Sequence, residues 1–270
     1  MKQILLVNDV VGYSHVGMVA MMPILTYMGH PTYNLPTSLV SNTLDYGRFN
    51  VLDTTNYMRG VLPVWKELGF HFDAICTGLM FSEEQAQLVA AYCTEQSRLG
   101  TTIYVDPIMG DGGRLYNGIT QRSVELMRQM VAVADLILPN YTEACFLTDT
   151  PFRQEGMSWQ EARQMLAALH DIGCRSALIT SARVEEENCV VGYNHLDGTY
   201  FRLGYEEIPV SFHGTGDIFA AVLIGNLLNG MLLKQSTRRA MDVVSKLIER
   251  NQDLPDKKRG IPIEQCLDLL

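Results

Sequence analysis

Ile4-Leu5-Leu6-Val7 runs straight into Asn8-Asp9, and the same pattern returns along the chain. Ala74-Ile75-Cys76 leads into Thr77-Gly78, and Ile103-Tyr104-Val105 into Asp106-Pro107. Leu136-Ile137-Leu138 leads into Pro139-Asn140, and Ala177-Leu178-Ile179 into Thr180-Ser181. Short apolar runs without alternation mark strands covered on both faces. In an open parallel sheet, ligands bind beyond the carboxyl ends of the strands. Five strand ends that each finish on polar groups therefore predict an active-site rim.

The full set of predicted strands is 3–8, 32–35, 74–77, 101–105, 136–138, 177–180, 189–193 and 200–203. Helical patterns cover 16–28, 54–68, 83–98, 120–133, 157–172, 215–229 and 235–250. Alternation of strand and helix predicts an α/β fold, with a mostly parallel central sheet and helices on both faces. Asp197-Gly198, between two strand-like runs, predicts an antiparallel hairpin at one edge. No linker, repeat or low-complexity stretch divides the chain, so residues 1–270 read as one domain.

Composition narrows the function. The 270 residues are 47% hydrophobic and 19% charged, enough for a sizeable core. Lys and Arg number 21 against 30 Asp and Glu, a net charge of −9. An acidic chain without a basic cluster argues against nucleic acid and anionic membrane partners. The short run Lys257-Lys258-Arg259 reads as a solvated loop. No apolar run approaches a membrane span, and the first apolar run is too short for a signal-peptide core. A cytoplasmic location is expected. The six cysteines form no CxxC and read as reduced, buried thiols. The six histidines include no HExxH, so no transition-metal site is expected.

Three stretches carry chemistry. In His213-Gly214-Thr215-Gly216-Asp217, a glycine turn opens an apolar helix and carries a carboxylate in its first turn. Glycines let a backbone approach a ligand, and free N–H groups at a helix start favour an anion. The alternative is structural: Thr215 caps a core helix and Asp217 complements its dipole. The stretch lacks the third glycine of a dinucleotide fingerprint, and the chain has no P-loop and no protein-kinase signature. In Asp106-Pro107-Ile108-Met109-Gly110-Asp111-Gly112-Gly113, a strand-end carboxylate is followed by a second one on a glycine-rich loop. That pairing suits magnesium bound largely through water and phosphate, and a plain turn is the alternative. In Pro139-Asn140-Tyr141-Thr142-Glu143, an amide and a carboxylate stand three apart where a short helix begins. Capping and a metal-phosphate centre both fit.

Taken in order, these motifs resemble the ribokinase-like superfamily, and within it the pyridoxal/pyridoxamine kinases. VDPIMGDGGRLY, LPNYTEACFL and SFHGTGDIFAAVLIG are similar to that family's versions, as are NDVVGYSHVGMVAMMPIL and LPTSLVSN nearer the start. The resemblance extends from residue 3 to about 250. It implies magnesium-ATP-dependent phosphorylation of the 5′-hydroxyl of a B6 vitamer. Asp217 is then the general base, with the N–H groups from Gly214 through Thr215 and Gly216 to Asp217 forming the anion hole. Asp106 and Glu143 lie near magnesium, with Asn140 supporting, Thr180 by the nucleotide and Thr37 by the pyridine. The resemblance also suggests a homodimer. Where the family often has a ring-contacting serine, this chain has Asp9. Where it has a tyrosine-containing turn, this chain has Leu79-Met80-Phe81-Ser82. Two other readings are a superfamily kinase for hydroxymethylpyrimidine or a sugar, and a silent vitamer- or nucleotide-binding sensor. A carboxylate beside an anion hole speaks against silence, because a pure binder needs no base.

Overall fold

A computed structural model describes residues 1–116 and 119–270. The chain begins with β1 (Ile4–Tyr13), α1 (Met18–Tyr27), β2 (Thr32–Asn42), β3 (Val51–Asp53), α2 (Thr55–Glu67) and β4 (Ala74–Thr77). It continues with α3 (Glu83–Arg98), β5 (Thr102–Val105), β6 (Gly110–Asp111), β7 (Arg114–Leu115) and α4 (Gln121–Val131). Then come β8 (Leu136–Ile137), α5 (Tyr141–Thr148), α6 (Trp159–Ile172), β9 (Ser176–Val184), β10 (Glu187–Asn194) and β11 (Thr199–Gly204). The last two helices are α7 (Thr215–Leu228) and α8 (Leu233–Asn251). The fold is the ribokinase-like α/β fold, a mostly parallel sheet with helices on both faces.

The chain packs as two compact units, Met1–Cys76 with Ile208–Leu270, and Thr77–Glu207. In the first unit the strand order is β4-β1-β2-β3, with β1 and β2 parallel and β3 antiparallel at the edge. In the second the order is β11-β10-β9-β8-β5. There β5, β8 and β9 are parallel, while β9, β10 and β11 form an antiparallel ribbon. The Asp-Gly hairpin is where the sequence puts it, with Gly198 at φ 67°. Ile4 through Val7 are wholly buried, as unalternated strands should be. Helix α7 is buried at every position from Ile218 to Gly225, so it has no polar stripe and serves as a core element. All six cysteines are buried, and none is in a disulfide. No helix among the described residues is long and apolar enough to cross a membrane.

The structure lengthens three strands. Strands expected to end at 8, 35 and 180 run on to Tyr13, Asn42 and Val184. Each continues through an irregularity. Between Asn8 and Val10 the register slips so that Thr37 and Ser38 together oppose Asp9. Between Ile179 and Ala182 the pairing with β10 slips as well, and Ser181 adopts φ 51°. A bulge hides a strand from periodicity because the extra residue breaks the alternation. Of the polar residues expected to follow strand ends, Asp9 and Ser181 therefore lie at bulges, where side chains are re-aimed, while Thr77, Asp106 and Asn140 stand at or just beyond strand ends as expected.

Candidate active site

In the first unit the site is built around the turn into α1 and the start of α7. The N-cap of α7 is Gly214, at φ 82°, and no side chain caps the helix. The Thr215 hydroxyl instead bonds the Phe212 carbonyl at 3.3 Å. The capping reading of Thr215 is thus wrong, and the first N–H groups of α7 are not taken by a cap. Gly216 is exposed, and nothing lies within 4 Å of the place a Cβ would occupy. A Cβ on Gly214 would stand 2.5 Å from the His15 carbonyl oxygen, so only glycine lets this turn close on the first loop.

Asp217 is held from two sides. Its Oδ2 accepts the Gly17 N–H at 2.8 Å, and its Oδ1 accepts the Asn8 amide at 3.4 Å. Burial raises its pKa, and those two donors oppose the rise. Asp9 lies on the other side of the same glycine. A Cβ on Gly17 would meet Asp9 Oδ1 at 2.5 Å, and Gly17 itself sits at φ 58°. Burial first, and the Asp217 charge second, push the Asp9 carboxyl up to about 7. Thr37 stands opposite Asp9 across the bulge and is fully buried.

In the second unit Asn140 and Glu143 form a reciprocal capping box on α5. The Asn140 side chain accepts the Glu143 N–H at 2.9 Å, and Glu143 Oε2 accepts the Asn140 N–H at 2.8 Å. Glu143 Oε1 then accepts the Met109 N–H at 2.9 Å, and the Asn140 amide donates to the Gly110 carbonyl at 2.8 Å. One box both starts the helix and clamps the loop that follows Asp106. Glu143 is buried, which lifts its pKa against the pull of these amides, with Asp111 adding to the rise. Asp106 directly follows β5, and its N–H donates to the Thr77 carbonyl at 3.0 Å. Thr180 is bridged to Asn140, its N–H donating to the Pro139 carbonyl at 2.9 Å. Asp106, Asn140, Glu143 and Thr180 are thus gathered by this one unit.

Sequence reasoning missed several residues. A cavity of about 210 Å³ in the second unit is lined by Asp111, Thr142, Arg153, Ser181 and Arg183, among others. Asp111, Thr142 and Ser181 lay in stretches the sequence singled out, whereas Arg153 and Arg183 carried no signal. The Lys257–Arg259 run is not a plain solvated loop. The Arg259 carbonyl accepts from the His15 N–H and the Ser14 hydroxyl, and Lys258 donates to the Asp45 carbonyl. His213 pairs with Asp45 at 3.0 Å and ties down the loop.

Among the described residues no three His, Cys, Asp or Glu side chains are grouped closely enough to hold a metal alone. Asp106, Asp111 and Glu143 supply carboxylate oxygens. Such a set suits an ion completed by water and phosphate, which is how magnesium is usually held.

Residues 34–261 match the family model for phosphomethylpyrimidine kinase. The chain belongs to that family. Such family members are ATP-dependent kinases of the ribokinase superfamily that act on small hydroxymethyl compounds. It is 30% identical to a pyridoxine/pyridoxal/pyridoxamine kinase of Bordetella avium, over 85% of this chain and 79% of that one. Against a pyridoxal kinase of Arabidopsis thaliana the match is local, 32% identical over 46% of this chain and 40% of that one. A Bacteroides thetaiotaomicron protein assigned as a phosphomethylpyrimidine kinase, crystallised with pyridoxal, superposes with a TM-score of 0.94. It is 33% identical, with coverage of 99% of this chain and 95% of that one.

Proposed function

We propose that this family member phosphorylates the 5′-hydroxyl of a B6 vitamer with magnesium-ATP, as one kinase domain. The observation that carries the reading is Asp217, a carboxylate in the first turn of an uncapped helix, aimed by Gly17 and Asn8. A raised pKa suits a general base working near neutral pH. Its free lone pairs accept the proton of the substrate hydroxyl as that oxygen bonds to the γ-phosphorus. The bond from the γ-phosphorus to the bridging oxygen breaks, and ADP leaves. The N–H groups of Gly214, Thr215 and Gly216 receive phosphate charge, since a helix start favours anions. Little covalent work is asked of the protein, and positioning and charge do the rest.

On the nucleotide side, Asp106 and Glu143 are the residues that would hold magnesium, with Glu143 reaching it through water because its oxygens already take backbone amides. When bound, the ion neutralises charge on the phosphates. Asn140 holds the Gly110 loop and Thr180 faces the nucleotide. Thr37 and Asp9 take the substrate ring. The Bordetella relative and the pyridoxal held by the Bacteroides protein support the vitamer. A homodimer accords with exposed Leu39, Phe49 and Leu52 near the β3 edge.

ATP consumption with pyridoxal, pyridoxamine, pyridoxine, hydroxymethylpyrimidine and a sugar panel tests the reading. Turnover of a vitamer supports it. Turnover of hydroxymethylpyrimidine alone moves the substrate to the family model's own name, and turnover of none favours a sensor.

A further inference from the structure

We propose that Asp9 selects the charge of the substrate. With Asp217 it makes a wall of two carboxylates that favours a substrate bearing an ammonium next to its reactive hydroxymethyl group over one bearing a neutral group there. This inference rests on the vitamer-kinase reading given above.

The geometry comes first. Gly17 lies between the two acids, its N–H bonded to Asp217 and the place of a Cβ on it only 2.5 Å from Asp9 Oδ1. A substrate whose hydroxyl reaches Asp217 therefore brings the neighbouring ring substituent toward Asp9. In the B6 vitamers that substituent, at the 4′ position, is on the adjacent ring carbon.

Asp9 is also without a counter-charge. It is only 8% exposed, and among the described residues no Lys, Arg or His pairs with it. The charged group acting on it is Asp217, from α7, and that is another acid. Across the sheet β2 presents Thr37 and Ser38, which carry no charge. The nearest histidine in sequence, His15, turns its Nδ1 toward Glu264 at 3.6 Å. Among the described residues, the hydrogen-bond donor that lowers the Asp9 pKa is Asp9's own backbone N–H. A buried carboxylate is costly unless it is paired and hydrogen-bonded. Two of them on one glycine leave a place whose charge a cationic donor offsets and a neutral group does not. An ionised aspartate can only accept hydrogen bonds, so an ammonium suits it where an aldehyde cannot.

The test compares kcat/KM for pyridoxamine and pyridoxine, which differ in having an ammonium or a hydroxyl at 4′, in wild type, Asp9→Asn and Asp9→Ser. A charge-assisted hydrogen bond predicts that the pyridoxamine-to-pyridoxine ratio falls about tenfold or more in both variants. ADP affinity on the same preparations verifies that the variants are folded. Should a variant misfold, the wild type decides alone. Its preference for pyridoxamine, measured by calorimetry, should rise with pH through about 7 as Asp9 ionises. A ratio unchanged by both substitutions, or a preference flat with pH, overturns the proposal while leaving the vitamer kinase intact. A wild type that neither binds nor phosphorylates any vitamer overturns the vitamer reading, and this inference falls with it.

Discussion

Replacing Asp9 by Asn should stabilise the protein at alkaline pH and do little at acid pH. The folded-state pKa of Asp9 is raised from 3.8 to about 7, chiefly by burial and then by Asp217. The folded protein therefore keeps a proton that the unfolded chain gives up. Stability from that proton is fully present below the unfolded pKa and is lost as pH rises through about 7. At 1.36 kcal/mol per pH unit, the gap between the two values corresponds to roughly 4 kcal/mol above pH 8. Asn keeps the size and removes the titration, so the variant escapes the loss. Urea unfolding at pH 5 and pH 9, without ligand, measures it. The variant should gain by about 2.7 kcal/mol at pH 9 relative to its difference from wild type at pH 5, because the part of the loss between pH 3.8 and pH 5 is common to both measurements. If the two differences are equal, Asp9 is already compensated in the folded state, and the argument from two uncompensated acids is wrong.

Asp217→Asn should lower kcat by about 10² to 10⁴, the usual worth of a general base, while ADP still binds. A variant that keeps more than half of wild-type kcat would remove Asp217 from that role. Asp106→Ala should shift the magnesium dependence of turnover to higher concentration, read from titrations of both proteins; superimposable curves with equal kcat would take Asp106 out of the site. The β9–β10 hairpin turns through Glu185 at φ 51° and Glu186 at φ 71°, a conformation that suits Asn-Gly. Replacing that pair by Asn-Gly should add roughly 1 kcal/mol to the unfolding free energy, even though Glu185 loses its exposed ion pair with Arg202. A drop in the urea midpoint would contradict the strain argument.

The order of strands and helices was legible because the buried strands are unbroken apolar runs and several helices open on recognisable capping residues. Glu83–Arg98 begins where Ser82 accepts the Gln85 N–H, and its ends match the pattern. What stayed hidden was hidden by irregularity. Asp9 and Ser181 look like the ends of strands, yet the backbone continues past each through a bulge. No period marks a bulge, because the register slip depends on the neighbouring strand. The two-residue strands β6 and β7 were equally invisible, since a glycine turn and a tight hairpin share one composition. The ties made by Lys257–Arg259 also escaped, because they run through carbonyl groups that every residue possesses.

At the site the sequence posed each helix start as a choice between a cap and a function, and the two starts resolve it differently. At α5 the cap and the site are the same atoms. Glu143 closes the box with one oxygen and fixes the Met109 amide with the other, so capping is the means by which the Asp106 loop is set. At α7 the cap is absent. Thr215 turns back to Phe212, and Gly214 supplies no side chain. A side-chain cap there would satisfy the very N–H groups that an anion needs. The glycine that weakens the helix start is thus what leaves it able to receive phosphate, while Gly17 and Asn8 join Asp217's own N–H in holding the acid. Acid and amides are close in sequence and opposite in charge preference, and the first loop's two donors, Gly17 and Asn8, aim the acid.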